Sequence, residues 1–79
     1  MKKIIDVKVL PDYKLLLTFD DNIKKIKDMK PYLNKGVFKK LKNKEFFDDV
    51  KIIYDTISWG EEIDLCADSL YKTSENVND

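Results

Sequence analysis

The sequence predicts a small α+β domain, in which an antiparallel or mixed sheet of four to five strands carries short helices on one face. Three observations lead to this fold class. Apolar and polar residues alternate in the first third of the chain and again over 50–59, as strands with one solvated face require. Apolar residues between these segments recur at helical spacing. The chain has 79 residues, which suffice for one domain with a thin core.

The first three strands are predicted over residues 4–10, 13–19 and 23–28, where the alternation is clearest. A Pro-Asp pair and an Asp-Asp-Asn sequence separate these strands and predict turns, because Asn and Asp tolerate left-handed backbone angles. Ile26 is the predicted buried residue of the third strand. The lysines around it are expected to protect a sheet edge from unwanted pairing.

A helical stretch is predicted after the third strand. Leu33, Val37 and Leu41 recur every four residues and form an apolar stripe. Gly36 is a weak helix former, so it is expected to divide the stretch into a short turn and a helix over 37–42.

The remaining elements are shorter. A helical turn is predicted at 45–47 and a fourth strand over 50–55, while 56–59 is either a fifth strand or a continuation of the fourth after a bend. Asp64 is predicted to cap a last helix over about 66–73.

Residues 1–73 are therefore predicted to form a single domain, and residues 74–79 a flexible tail. Cys66 is the only cysteine, so no internal disulfide can form, as suits a reducing compartment. No apolar run approaches the ~18 residues of a membrane span, and the N-terminus lacks the pattern of a secretory signal. We expect a cytoplasmic protein without a membrane partner.

Charge is strongly segregated along the chain. Residues 22–44 contain nine Lys and one Asp, a net charge of +8, and residues 45–79 contain two Lys and ten acidic residues, a net charge of −8. Such asymmetry can mark a face that binds a charged partner. The candidate partner-binding residues are Lys24, Lys25, Lys27, Lys39, Lys40 and Lys42. The stronger interpretation is an AT-rich coding bias, which the abundance of Lys, Asn, Ile and Asp together suggests, and the two segments can also neutralise each other within the fold.

Catalytic chemistry is not indicated. The chain has no His, which removes the usual proton shuttle at neutral pH, and Cys66 therefore has no His to activate it. Glu61, Glu62, Asp64 and Asp68 are acidic, but their spacing fits no calcium loop. The two glycines are isolated, so no phosphate-binding loop is present. We expect no enzyme activity, no metal and no cofactor.

The order and spacing of several motifs run through nearly the whole chain. They are Leu10-Pro11-Asp12-Tyr13, Leu15-Leu16-Leu17-Thr18-Phe19-Asp20, Asp28 with Pro31 and Leu33, Gly36-Val37-Phe38 with Leu41, Phe46 or Phe47 with Val50, Ile57-Ser58-Trp59, Ile63-Asp64-Leu65, and Leu70-Tyr71. In this pattern the chain resembles the small bacterial proteins classed as domain-of-unknown-function family 2442. The resemblance implies an α+β fold on a small sheet, and an occurrence alone, beside a helix-turn-helix domain, or next to small proteins in toxin–antitoxin pairs.

The chain departs from the family pattern in its loops. Ile23 follows Asn22 where the family often has Gly, Gly60 follows Trp59 where Pro is frequent, and Cys66-Ala67 replaces an acid-Pro step. The chain is also too short to include a helix-turn-helix domain beside this one.

Two functions are consistent with these observations. The first is a protein-interaction module, the antitoxin-like or regulatory member of a two-protein system, that binds another protein or a second copy of itself. The second is weak nucleic-acid binding by the lysines, which is disfavoured because base readout relies on Arg, and Arg is absent.

Overall fold

A computed structural model describes residues 1–60 and 62–77, which fold into an α+β domain. The strands are β1 (Ile4–Leu10), β2 (Lys14–Phe19), β3 (Lys24–Asp28), β4 (Lys51–Ile53), β5 (Thr56–Trp59), β6 (Ile63–Leu65) and β7 (Glu75–Asn76). The α-helices are α1 (Lys44–Asp48) and α2 (Ala67–Thr73), and two 3-10 helices cover Lys30–Tyr32 and Gly36–Lys42.

The strands form two antiparallel sheets. One sheet has four strands in the order β1-β2-β3-β7, and the other has three in the order β4-β5-β6. The prediction of one sheet with four to five strands is therefore not confirmed, although the α+β class is. A two-residue loop turns β5 back along β4, so residues 56–59 are a separate strand rather than a continuation.

The inner face of the larger sheet begins with an irregularity in β1. Ile4 pairs with Phe19, but the next paired residue is Asp6, opposite Thr18, so Ile5 is the extra residue of a β-bulge. The bulge moves Ile4 onto the same face as Val7 and leaves Ile5 exposed. A strict alternation through Ile5, as the sequence suggests, would instead bury Ile5.

The register of β3 differs from the prediction in which side chains face the core. Lys25 lies opposite Leu17 and Lys27 opposite Leu15, and both leucines are fully buried. Directly paired residues share a face of the sheet, so both lysines point to the inner side. Ile26 lies on the other face and is only half-buried. The prediction that Ile26 is the buried residue of β3 is therefore wrong: the register buries Lys27 instead.

Aromatic residues join the two sheets. Phe47 of α1 meets the ring of Tyr13 edge-on, with centroids 5.2 Å apart, and stacks on Trp59 of β5 at 5.8 Å. The indole Nε1 of Trp59 donates a hydrogen bond of 2.8 Å to the carbonyl oxygen of Phe47. Phe19 of β2 packs edge-on against Tyr71 of α2 at 4.9 Å. These contacts attach both helices to the inner face of the larger sheet.

The C-terminal region departs from the sequence interpretation in two places. Asp64 does not cap α2, because it lies in β6, and Cys66 occupies the N-cap position without a side-chain hydrogen bond. Within the segment predicted as a flexible tail, Ser74 is buried and β7 pairs with β3, where the amide of Val77 donates to the carbonyl oxygen of Lys24. Residues 78–79 of that segment lie outside the described part of the chain.

Trp59→Ala should lower the free energy of unfolding by about 3–5 kcal/mol, because it removes a fully buried ring from a thin core. Trp59→Phe should cost less, about 1–3 kcal/mol, because it keeps an aromatic ring but leaves the Phe47 carbonyl without its donor. Urea denaturation measures both. Val37→Ala, at an exposed position, is the control and should change stability by less than about 0.5 kcal/mol. A Trp59→Ala cost as small as that of the control would contradict the described packing.

Candidate functional site

The loop between β4 and β5 consists of Tyr54 and Asp55. Ile53 pairs with Thr56 on either side of it, so the connection is a two-residue hairpin loop. Both loop residues have positive φ, 52° for Tyr54 and 67° for Asp55. This is the type I′ pattern, which Asn-Gly and Asp-Gly sequences adopt most readily. A tyrosine in the first position is therefore an unfavourable choice for the turn itself.

Few contacts between Tyr54 and the rest of the chain offset the energetic cost of this backbone conformation. The Tyr54 side chain is 95% exposed. Tyr13 also has a positive φ of 59°, but its ring packs on Phe47 and its hydroxyl donates a 2.5 Å hydrogen bond to the carbonyl oxygen of Lys42. Positive φ in a bulky residue costs roughly 1–2 kcal/mol and is most often retained where function requires it. Tyr54 is therefore a candidate for contact with another molecule.

Apolar side chains of β4 next to Tyr54 are also exposed. Ile52 is 38% exposed and Ile53 is 43% exposed. Ile53 and Tyr54 line a shallow hollow of about 350 Å³ on the outer face of the smaller sheet, which also includes Ser58 and Ile63. The Ser58 hydroxyl is buried, and it has no hydrogen-bond partner among residues 1–60 and 62–77. The walls of the hollow are therefore mainly apolar, and the Ser58 hydroxyl lies beneath them.

One edge of β4 has no pairing strand among the described residues, although β1 lies close to β4 and the Ile4 amide donates a 2.8 Å hydrogen bond to the carbonyl oxygen of Asp55 in the hairpin loop. Within the described chain β4 pairs with β5 alone, so it is an edge strand. In a two-residue hairpin the pair that flanks the loop is hydrogen-bonded and the next pair, here Ile52 and Ile57, is not. The N–H and C=O groups of Ile52 therefore point away from β5. A strand with outward peptide groups is a template for pairing with another chain.

Of the lysines predicted to bind a partner, two are directed inward, toward α2. Lys25 donates from Nζ to the carbonyl oxygen of Tyr71 at 2.7 Å, and its ammonium lies 4.0 Å from the centre of the Tyr71 ring. Lys27 donates to Thr73 Oγ1 at 3.0 Å. Both ammonium groups lie near the C-terminal end of the helix, where positive charge is favourable. Their contacts attach α2 to β3.

The other four candidate lysines are exposed. Lys24 lies on the outer face of the larger sheet, opposite Thr18. Lys39, Lys40 and Lys42 share the second 3-10 helix, and Lys40 forms an ion pair with Glu62. This ion pair joins the positive and negative segments, so part of the segregated charge is neutralised within the fold. Lys24, Lys39 and Lys42 form no ion pair with a described residue.

The acidic residues and the cysteine are placed separately. Glu62 and Asp64 are exposed, Asp68 accepts a 2.6 Å hydrogen bond from the backbone N–H of Lys2, and Glu61 lies outside the described residues. Cys66 is exposed. Over the described ranges, no group of three or more His, Cys, Asp or Glu side chains is arranged to hold a metal ion. None of the described helices combines the length and apolarity that crossing a membrane requires.

Comparison with known protein families gives one informative match. The family model described as "Protein of unknown function (DUF2442)" matches residues 4–76. The chain belongs to this family. The resemblance inferred from the sequence is thereby confirmed. Comparison with curated proteins and with solved structures gives no significant match to this DUF2442 chain.

Sequence reasoning missed the most exposed of these features, the tip of the β4–β5 hairpin. Tyr54 and Asp55 were expected to extend the fourth strand, because Tyr54 continues the alternation and is not a typical turn residue. The remaining signal was weak: two short apolar segments, at 50–53 and 56–59, with two residues between them. Lys27 was also misplaced, since a lysine in an alternating strand is ordinarily solvated.

A polar cluster around Asp21 fixes the turn between β2 and β3 against α2. Asp21 Oδ2 accepts hydrogen bonds of 2.9 Å from both Lys2 Nζ and the hydroxyl of Tyr71, and Asp21 Oδ1 accepts from the Ile23 amide at 3.1 Å. The hydrogen bond from Lys2 is the main reason that the pKa of Asp21 falls from 3.8 to about 2. The same contact raises the pKa of Lys2, and the contact with Asp21 raises the pKa of Tyr71.

This cluster predicts a loss of stability in acid. The pKa of Asp21 is lower in the folded chain than its ordinary value of 3.8, so its contribution is complete above about pH 4 and is lost as the pH falls toward 2. Asp21→Asn should therefore reduce the dependence of the urea midpoint on pH between 2 and 4 relative to the parent chain. Part of the pH dependence should remain in the variant, because a hydrogen bond from Lys30 also lowers the pKa of Asp12. Parallel curves for the parent and Asp21→Asn would contradict the role of the cluster.

Proposed function

We propose that this DUF2442 chain is a non-catalytic, cytoplasmic protein-interaction module that binds an extended segment of a partner protein along β4. The observation that carries the proposal is Tyr54, which is 95% exposed at a backbone angle that disfavours tyrosine. Tyrosine is enriched among the residues that dominate binding energy at protein interfaces. A solvent-exposed loop without a partner would be more stable with Asn or Gly at this position.

The geometry of β4 supports a partner in extended conformation. The outward peptide groups of Ile52 can pair with a neighbouring strand, as in recognition by strand addition. Alternate side chains of that strand would then face the smaller sheet, where the hollow beside Tyr54 offers apolar walls. Main-chain pairing supplies affinity in this mode, and the hollow supplies specificity.

The exposed lysines contribute differently from the hairpin. Lys39, Lys40 and Lys42 lie on a chain whose longest dimension is only 30 Å. At this size the electrostatic field of the lysines reaches an approaching partner. Such charges increase the association rate more than they decrease the dissociation rate. The partner that we propose is an acidic protein, such as the second member of a two-protein system. The lysines would attract it, and the apolar surface around Tyr54 would hold it. Weak nucleic-acid binding by the same lysines is the alternative function.

Tyr54→Asn separates binding from folding. Asn tolerates a positive φ, so the variant should be more stable than the parent chain by about 1 kcal/mol, as measured by urea denaturation. Removal of the aromatic anchor should nevertheless weaken partner binding by about 30-fold or more. Calorimetric titration with the co-purified product of the neighbouring gene measures the binding.

Val37→Asn is the matched control, because Val37 is an exposed apolar residue far along the chain from the hairpin. It should leave partner affinity unchanged within about twofold. The proposal is wrong if Tyr54→Asn binds as tightly as Val37→Asn. It is equally contradicted if the chain forms no complex with the neighbouring gene product, or if sedimentation shows that β4 pairs only with a second copy of itself.

Reversal of Lys39, Lys40 and Lys42 to Glu tests the steering role. Folding should survive, since all three side chains are exposed and each change costs at most about 0.5 kcal/mol. Stopped-flow association with the partner should slow at low salt and approach the parent rate at high salt, because screening removes long-range attraction. Dissociation should change little. A rate that is identical at every salt concentration would exclude steering by these lysines, and loss of folding would show that the Lys40–Glu62 contact is structural.

A further inference from the structure

Lys27 carries a charge that the fold buries without a carboxylate partner. Its side chain is only 7% exposed, because the β2–β3 register places it opposite Leu15 on the inner face of the larger sheet. No carboxylate of residues 1–60 or 62–77 lies within 4.0 Å of its Nζ. A buried ammonium is costly unless it is paired, so the position of this residue points to more than packing.

The contacts of Lys27 satisfy it only in part. Its Nζ donates to Thr73 Oγ1 at 3.0 Å, and the Thr73 hydroxyl donates in turn to the carbonyl oxygen of Ser69 at 2.9 Å. The ring of Tyr32 lies 5.0 Å from the ammonium, within the range of a cation–π contact. An ammonium has three N–H donors, and these neutral groups use one of them in a hydrogen bond. Neither contact neutralises the charge.

A groove opens at this point of the fold. β7 pairs with β3 only at Lys25 and Ile26, so the edge of β3 is uncovered from Lys27 onward. The groove has a volume of about 600 Å³, and its walls include Lys14, Lys35 and Asn76 in addition to Lys27. The volume is large enough to hold a small molecule.

The two carboxylates on this groove do not neutralise Lys27. Asp28 accepts a 2.9 Å hydrogen bond from the amide of Lys30 and lies 3.7 Å from the Lys30 ammonium. Glu75 pairs with Ile26, so its side chain lies on the outer face of the sheet, the face that Lys14 also occupies and the opposite one to that of Lys27. The three lysines of the groove therefore exceed its two acids, one of which already interacts with a lysine outside the groove.

We infer that the groove binds an oxyanion, the phosphate or carboxylate group of a small ligand, with Lys27 Nζ as its anchor. The anion supplies the counter-charge that the fold lacks, and a charge-assisted hydrogen bond to a desolvated ammonium is stronger than one to a solvated lysine. Lys14 and Lys35 add positive charge at the rim, and the Asn76 side chain adds a neutral donor. The site lies on β3 and β7, in the other sheet from β4, so it is independent of the proposed protein docking.

The surroundings of Tyr32 indicate that charge, rather than an aromatic group, defines the ligand. Lys27 and Lys35 lie 5.0 and 6.0 Å from the centre of the Tyr32 ring, and Phe38 packs against it at 5.4 Å with an interplanar angle of 64°. The ring is thus occupied by contacts within the chain. It does not offer an open platform for a nucleobase, as single-stranded nucleic-acid sites do.

Titration with inorganic phosphate, and separately with succinate, tests the site. Amide chemical shifts of Thr73 and Asn76 should move saturably in the parent chain, and the tighter of the two anions identifies the chemical source of the oxyanion. Lys27→Met keeps the aliphatic length of the side chain but removes its charge, and should weaken binding at least about tenfold. Lys24→Met, on the same strand but on the outer face, is the matched control and should bind within about twofold of the parent.

Three results would overturn the inference. The first is a titration that does not saturate with either anion. The second is an equal loss of anion affinity in Lys24→Met and Lys27→Met, which would indicate diffuse electrostatic attraction. The third is that the chain binds a single-stranded oligonucleotide but neither small anion, and that every lysine variant weakens this binding to a similar extent. If Lys27→Met does not fold, Lys35→Met replaces it, since Lys35 is exposed. That variant should weaken phosphate binding about threefold relative to Lys24→Met, and equal affinities would contradict the site.

Discussion

The hydrogen bond from the Trp59 indole to the carbonyl oxygen of Phe47 lies where the two sheets meet through α1. Trp59 belongs to the smaller sheet, and the Phe47 ring reaches Tyr13 at the first hairpin of the larger one. A 79-residue chain has room for few such contacts, so the position of one short helix determines how the sheets are joined. The Asn43 side chain secures the start of that helix by accepting from the amides of Glu45 and Phe46.

The same arrangement explains why one strand of the smaller sheet is exposed and another is not. β5 is the central strand, and Ile57, Ser58 and Trp59 are all buried. β4 lies at the edge, and each of its residues is exposed. Because β5 is held by Trp59, the hairpin loop that follows β4 is attached to a rigid strand. Tyr54 is consequently presented on a fixed support, which lowers the entropy that binding would cost.

Period-two alternation was sufficient to predict β1, β2 and β3, and the expected turn at Asn22 has the left-handed φ of 67° that the sequence suggested. The division into two sheets could not be predicted, because it depends on which strands pair and no local pattern encodes pairing. β6 and β7 have three and two residues, too few to show alternation. Lys27 was misassigned because burial depends on the register with Leu15, whereas the residue type alone indicates solvent.

The pairing of β7 with β3 joins residues that are about fifty positions apart, whereas β1, β2 and β3 are joined by short turns. During synthesis on the ribosome, the three N-terminal strands can associate early, since closing short loops is fast. The β3 edge then stays uncovered until residues 75–77 have emerged. Its lysines, Lys24, Lys25 and Lys27, are charged throughout that interval, and charge on an open edge opposes pairing with other nascent chains. The residues that later hold α2 thus also protect the unfinished sheet from aggregation.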